Sequence, residues 1–439
     1  MRLLDALNAR RELRRALANI AWLSGESILR LVVGLFLGIW IARFLGPNAF
    51  GQYSYAMALV ALFGVFSRLG VDEILVREIV RSHAARHELI GSAFAMKLAG
   101  GLAAFAAAVS CTVILRPAQP TVLALVAIIA AGLVAQSIDV IDLWFQSQLQ
   151  SRRSVVARNI AFLTTSLLKI GFILAGAAVA AFAFAGLLEL LLAGAGLVAA
   201  YRLSGETLSA WRASWSRARF LLAPSLPLIF AGLAVSLYMR IDQVMISAML
   251  GDAAVGRYSA AIRLTEAAYF IPTVICSSSL PGIISLRASN PAQFRARMQW
   301  LFDVMVVLAL AIALLLSLFA GQVVQFLYGG AYVSAAPVLA VHAWSTVFVF
   351  LGVASGAWLL AENLTSVSFY RTALGAVANI GLNFWLIPAF GVVGAAWATL
   401  LSMAIATFGV FVDSRSRPAG AMMLRALFPI RLLRGRIPG

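Results

Sequence analysis

Apolar runs of about 20 residues, long enough to cross a bilayer as a helix, recur along nearly the whole of this chain. Leu301–Ala320 is typical, apolar on every face apart from Asp303 near its start. An outer-membrane barrel is excluded, because its strands would alternate polar and apolar residues in short segments. With 62% of 439 residues hydrophobic and 12% charged, the charged share is roughly half that of a soluble domain. Disorder, a nucleic-acid-binding domain and an ordinary cytosolic enzyme are therefore excluded. What remains is an all-α integral membrane protein.

The apolar runs predict twelve helices, at 19–43, 50–70, 91–115, 121–144, 157–179, 181–201, 222–249, 256–280, 299–320, 335–360, 367–387 and 391–412. A cytoplasmic N-terminus places 25 of the 34 basic residues on the inner side and leaves three outside, Arg43, Arg116 and Arg257. That imbalance predicts that both termini are cytoplasmic, which needs an even number of crossings. Five arginines stand in the N-terminal arm, 1–18, and no short apolar core with a cleavage site follows, so no removed signal peptide is expected. Residues 413–439 form a basic tail in which Met422, Met423, Leu424, Leu427, Phe428 and Ile430 alternate with arginines, the pattern of a helix lying against anionic headgroups. The net charge of +17 thus reflects sidedness, and no nucleic-acid partner is expected. Cys111 and Cys276 lie in separate apolar runs and provide neither a disulfide framework nor a metal site.

An internal repeat sets the expected architecture. Leu45-Gly-Pro-Asn-Ala-Phe-Gly-Gln-Tyr-Ser-Tyr-Ala56 returns as Leu250-Gly-Asp-Ala-Ala-Val-Gly-Arg-Tyr-Ser-Ala-Ala261, identical at seven of twelve positions and offset by 205. The two copies join runs one to two and seven to eight, on the same side and six crossings apart. The repeat is therefore parallel, with an N-terminal six-helix lobe (19–201), a linker (202–221) and a C-terminal six-helix lobe (222–412) related by a pseudo-two-fold along the membrane normal.

Several of these residues carry a resemblance. Arg43-Phe-Leu-Gly-Pro47, Phe50-Gly51, Leu69-Gly70 and Val76-Arg77-Glu78 resemble the opening of the bacterial oligosaccharide and polysaccharide flippases. These are Wzx-like proteins, in the polysaccharide-transporter branch of the multidrug/oligosaccharidyl-lipid/polysaccharide (MOP) superfamily. Ile241-Asp242 followed by Gly256-Arg-Tyr-Ser-Ala-Ala261 is similar to that family's seventh and eighth spans, and Tyr328-Gly329 and Phe390-Gly391-Val-Val-Gly-Ala-Ala396 to its later signals. The resemblance covers the whole chain. It implies a MATE-like fold of two lobes around a central cavity, with runs one, two, seven and eight facing the cleft.

Charged side chains at bilayer depth are costly and are paired or face water. Glu26 and Arg30 share a helix face, four residues apart; Arg240 and Asp242 are two apart and point to nearly opposite sides; Arg263 and Glu266 are three apart. These six residues are the candidate substrate-binding set: arginines for an anionic group such as a diphosphate, acids to balance them or to bind a coupling proton or sodium ion. A bland alternative stands beside this one, in which Glu26–Arg30 and Arg263–Glu266 neutralise each other and Asp242 pairs with an arginine to hold its helix. Lys169 and Glu189, on adjacent runs, predict an ion pair or a second coupling site. Arg68 is expected to reach the inner surface, and Lys97, Asp139, Asp142 and Asp303 to reach headgroups or loop arginines. His342 reads as a satisfied histidine, and Asn379 and Asn383 as bonds between helices.

No enzyme motif, nucleotide-binding loop or metal-ligand cluster is present in the sequence, so no cofactor is expected. The resemblance implies a flippase for undecaprenyl-diphosphate-linked oligosaccharide repeat units, serving O-antigen, capsule or exopolysaccharide assembly in the bacterial inner membrane. It would act by alternating access, with membrane lipids as surroundings and a polysaccharide polymerase and chain-length machinery as partners. The competing expectations are a cation-coupled multidrug exporter, disfavoured by several arginines at the cleft, and a lipid II flippase. A membrane polysaccharide polymerase or ligase would carry a large charged outer loop, whereas the longest outer loop, 321–334, has no charge.

Overall fold

The computed structural model describes residues 2–428, with side chains from Trp22 onward apart from Pro281 and Ala288. The arm arginines Arg2, Arg10, Arg11, Arg14 and Arg15, and Ile430, Arg431, Arg434 and Arg436 of the tail, therefore lie outside the described side chains. The chain is almost wholly helical. In order come α1 (Arg2–Arg68), α2 (Asp72–Arg81), α3 (Arg86–Leu115), α4 (Pro120–Ala135), α5 (Val140–Ser147), α6 (Ser151–Leu174), α7 (Val179–Leu203) and α8 (Trp215–Leu250). They are followed by α9 (Asp252–Ala268), α10 (Phe270–Ser289), α11 (Pro291–Leu318), α12 (Ala320–Tyr328), α13 (Ala336–His342), α14 (Ser345–Ala361), α15 (Thr365–Phe408) and α16 (Arg417–Ala426).

Eight helices among the described residues are long and apolar enough to cross a membrane, nine if the bent pair Gly330–His342 and Ser345–Ala361 counts as one. The two longest each carry two of the expected runs. α1 breaks at Gly46, whose φ of 71° leaves the helical region, and Pro47 follows. Glycine adopts that φ without penalty, and proline lacks the N–H that the next helical arm would leave unbonded. α15 breaks in the same way at Gly391, with φ 60°, three residues after Pro388. The eighth expected run, 256–280, is divided at Tyr269 between α9 and α10. α9 carries Arg257, Arg263 and Glu266, and Pro272 sits in the first turn of α10, where its missing N–H costs nothing.

The chain packs as two compact units. One contains the residues up to Phe44 together with Ala56–Leu233; the other contains Leu45–Tyr55 together with Ala234 onward. The boundary therefore falls inside α8, and segment 202–221 belongs to the first unit. There Trp211 Nε1 donates to Tyr201 Oη at 3.2 Å, and Arg212 N to His87 O at 3.2 Å. In that unit amphipathic α2 buries Ile74, Leu75 and Ile79 against Val140, Ile141 and Phe145 of α5. Trp144 stands edge-on to Tyr201, ring centroids 5.0 Å apart.

In the second unit α11 and α14 build a core from Leu301, Phe302, Met305, Phe350 and Leu351. α16 closes this core. Met422 and Met423, expected against headgroups, are instead buried in it, and Gln299 Nε2 donates to Met422 O at 3.1 Å. Protein packing competes with lipid for the same apolar face, leaving Leu424 and Phe428 exposed. The two repeated turns also meet in this unit. A Cβ on Gly51 would collide with the Asp252 backbone, and a Cβ on Gly256 with the Pro47 carbonyl. Asp252 and Gly256 are the counterparts of Pro47 and Gly51 at the 205-residue offset, so the two copies clasp each other reciprocally.

Candidate functional site

Each unit holds its own set of the expected charged residues. In the first unit, Glu26 on α1 is 7% exposed. Its carboxylate bonds Arg30 Nε at 3.2 Å, one helical turn away, and Arg158 of α6 through Nε at 2.9 Å and Nη2 at 2.6 Å. Arg30 continues to Glu189 Oε1 of α7 at 2.8 Å and to the Arg158 carbonyl at 3.1 Å, and stacks over Phe162 at 4.8 Å. The expected pair Lys169–Glu189 is present at 3.3 Å, with Thr165 Oγ1 on the same carboxylate. Arg158 also pairs with Asp142 of α5. Three acids and three bases are thus joined into one balanced network. Paired and hydrogen-bonded, these charges can occupy a low-dielectric interior that would reject any one of them alone.

Arg158 sits in the second turn of α6, inside the run expected at 157–179. Asp142, expected at headgroups or a loop arginine, is 5% exposed and finds its arginine in Arg158. Lys97 bonds Asp72 at 2.6 Å. It shares with Asp139, Asp142 and the exposed Arg68 a polar cavity of about 300 Å³.

In the second unit the acids and bases re-pair. Glu266 of α9 bonds Arg240 of α8 at 3.3 Å, and the i, i+3 pairing with Arg263 is not formed. Arg263 instead lies over the Phe50 ring at 5.3 Å, held by cation–π attraction. Arg240 is thus paired, while Arg263 makes no ion pair among the described residues.

Asp242 points the other way along α8, as the two-residue spacing requires, and is 3% exposed. Three donors surround its carboxylate: Tyr258 Oη at 2.6 Å, Thr399 Oγ1 at 2.6 Å and Asn383 Nδ2 at 2.6 Å. Among the described residues no arginine or lysine makes an ion pair with it. Asn379 accepts from Asn383 at 3.0 Å, and the Oδ1 of Asn383 is buried with no partner. The carboxylate is thus held by two hydroxyls and one amide nitrogen, with no ion pair among the described residues. His342 is satisfied, as expected, by Thr265 Oγ1 at 2.8 Å. Tyr258 and Thr399 were not singled out from the sequence. Tyr258 had a signal, because it is one of the seven matched positions of the repeat, opposite Tyr53. Thr399 had none.

Long apolar helices with ion pairs buried inside them define a multi-pass membrane protein. Two solved structures share this fold. A multidrug resistance MATE transporter of the MOP superfamily, in an inward-facing conformation, superposes with a TM-score of 0.70 over 95% of this chain and 99% of its own, at 18% identity. The lipid II flippase MurJ, in an inward closed conformation, gives 0.71 over 96% and 94%, at 12% identity. The chain belongs to the polysaccharide biosynthesis protein family, which matches residues 16–286; the MatE family matches residues 227–385. A curated relative, the probable low-salt glycan biosynthesis flippase Agl15 of Haloferax volcanii, is 27% identical over 218 residues. That alignment covers 49% of this chain and 46% of the relative, so the chain spans about half the length of the relative it matches. These proteins are transporters and flippases, not enzymes.

Proposed function

We propose that the chain is a flippase that moves a polyprenyl-diphosphate-linked oligosaccharide from the cytoplasmic to the outer leaflet for surface glycan assembly. It lies in the cytoplasmic membrane with both termini inside, works by alternating access, and is driven by a cation bound at Asp242. The observation that carries the substrate class is the pair of guanidiniums in the second unit, Arg240 bonded to Glu266 and Arg263 over the Phe50 ring without an ion pair among the described residues. Guanidiniums so placed suit a diphosphate and repel a cationic drug. A polar head that travels inside protein avoids hydrocarbon, where each unpaired polar group costs several kcal/mol. The relative's name, a glycan biosynthesis flippase, agrees in kind.

The coupling role of Asp242 rests on its burial among neutral polar groups, with no basic residue in an ion pair with it among the described residues. Glu189, the other candidate, already shares its charge between Arg30 and Lys169. Deletion of the gene tests the reading. Lipid-linked glycan should accumulate on the cytoplasmic leaflet while the surface polymer falls in parallel. Intact surface glycan with new sensitivity to cationic dyes overturns it in favour of a drug exporter, and a block in peptidoglycan precursors would assign lipid II instead.

A further inference from the structure

A groove of about 640 Å³ lies within the first unit, between α2 and the first turns of α8. Its rim carries Arg77 and Arg81, one helical turn apart on α2, and Arg219 of α8. The floor is apolar, formed by residues such as Ile74 and Phe220. One carboxylate, Glu78, is present, and a single oxygen of it accepts from Arg77 Nε at 3.0 Å and Arg81 Nη1 at 3.4 Å. Each guanidinium has five N–H donors, so most of them remain free, and the Arg77 and Arg81 side chains are 52% and 66% exposed. Three guanidiniums against one carboxylate leave a local charge of two positive.

The surroundings fix the depth of this groove. α2 follows directly on the end of α1 and is amphipathic, burying Ile74, Leu75 and Ile79 while Val80 is exposed. α8 opens at Trp215, 82% exposed, a residue type that favours the headgroup layer. From there Phe220, Leu226 and Phe230 stay exposed along the helix. A basic groove at headgroup level that opens onto an apolar helix face fits an amphiphile with an anionic head. The arginines belong to segments that the charge distribution places on the cytoplasmic side.

We infer that this groove is a loading site for the diphosphate of the lipid-linked substrate on the cytoplasmic leaflet, separate from the residues that carry it across. The inference rests on the functional reading above. Charge complementarity favours a diphosphate diester, with two negative charges at neutral pH, over an ordinary phosphodiester headgroup with one. Arginine rather than lysine suits two adjacent phosphoryl groups, because its planar fork bonds two oxygens at once. The polyprenyl chain then lies along the exposed apolar face of α8.

The test uses the full-length protein in phosphatidylcholine nanodiscs, with undecaprenyl diphosphate bearing a single sugar, a diphosphate diester, as probe. Binding to the native protein is compared with the triple variant Arg77→Gln, Arg81→Gln, Arg219→Gln and with the corresponding triple lysine variant. Melting temperatures are measured alongside. The site predicts a loss of about tenfold or more in affinity for the glutamine variant at unchanged melting temperature, a smaller loss for lysine, and poor competition by phosphatidylglycerol. Native-like binding by the glutamine variant overturns the groove while leaving the functional reading intact. Equal competition by phosphatidylglycerol also overturns it, reducing the groove to a general anionic-lipid surface. If the native protein does not bind the diphosphate lipid at all, the groove and the substrate class fall together.

Discussion

Glu26 and Asp242 are both buried carboxylates, and their neighbours give them opposite roles. Glu26 is bonded to two guanidiniums, so its charge is spent on structure. Removing Arg158 would leave Glu26 and Asp142 short of a counter-ion, and breaking a buried pair costs about 3–5 kcal/mol. Arg30 is a third exposed, so the screened cost of Arg30→Ala is nearer about 1 kcal/mol. Both variants should accumulate poorly, Arg158→Ala more so, measured as membrane level and melting temperature; normal levels of both would refute a structural network. Asp242 has donors but no ion pair among the described residues. Asp242→Asn should fold, because the Asn383 amide, with its Oδ1 unpartnered, can turn that oxygen toward the new NH2. Transport driven by an imposed sodium or proton gradient should then fall about tenfold or more, equivalent to about 1.4 kcal/mol of lost coupling. Gradient-driven transport that survives in this variant rules out Asp242 as the coupling site. The opposed directions of Arg240 and Asp242 were legible from a spacing of two. Across helices, Lys169–Glu189 was legible because its helices are adjacent in sequence, whereas the contacts of α1 with α6 and α7 join residues 132 to 159 apart, and no local pattern encodes such distances.

At the scale of the elements, the glycines of the repeat carry the most information. Gly51 and Gly256 each face backbone atoms of the other copy, which cannot retreat as a side-chain tip can. Alanine at either position should therefore cost about 2–3 kcal/mol through overpacking against main chain, and the pair should be less than additive because they share one contact surface. Gly34 and Gly282 have open space around their Cβ positions, so alanine there should be tolerated; the four variants can be ranked by melting temperature in detergent. Equal melting temperatures for all four would dissolve the clasp. The repeat was visible in the sequence as a turn between helices. That its two copies grip each other was not visible, because a match of residues says nothing of proximity. The break at Gly46 was readable from the proline that follows it, and that at Gly391 from a glycine three residues after Pro388. The division of the eighth run at Tyr269 was not, because Phe270–Ser278 is as apolar as a continuous span would be.

For the whole molecule, sidedness is written in arginine. Helix lengths alone allow eight or nine crossings among the described residues, and these two counts disagree on whether the ends of the chain share a side. Splitting α1 at Gly46 and α15 at Gly391 adds a crossing for each break, so parity depends on how such bends are resolved in a bilayer. The charge distribution is independent of that choice. With 25 basic residues assigned to one face and three to the other, the alternative orientation would force most of the arginines across the membrane during insertion, against the positive-inside bias. Each arginine left at the bilayer centre would cost about 2.5–3.5 kcal/mol by insertion measurements. Reporter fusions after Arg116, Arg257 and Arg417 should therefore read outside, outside and inside. The first two sites are diagnostic of the α3–α4 and α8–α9 turns, and the third of the parity of the whole chain. An outside signal at Arg417, with the other two as expected, would mean an even number of crossings between Arg257 and Arg417. That would place α16 and its exposed Arg425 on the far side of the membrane from the α2–α8 groove.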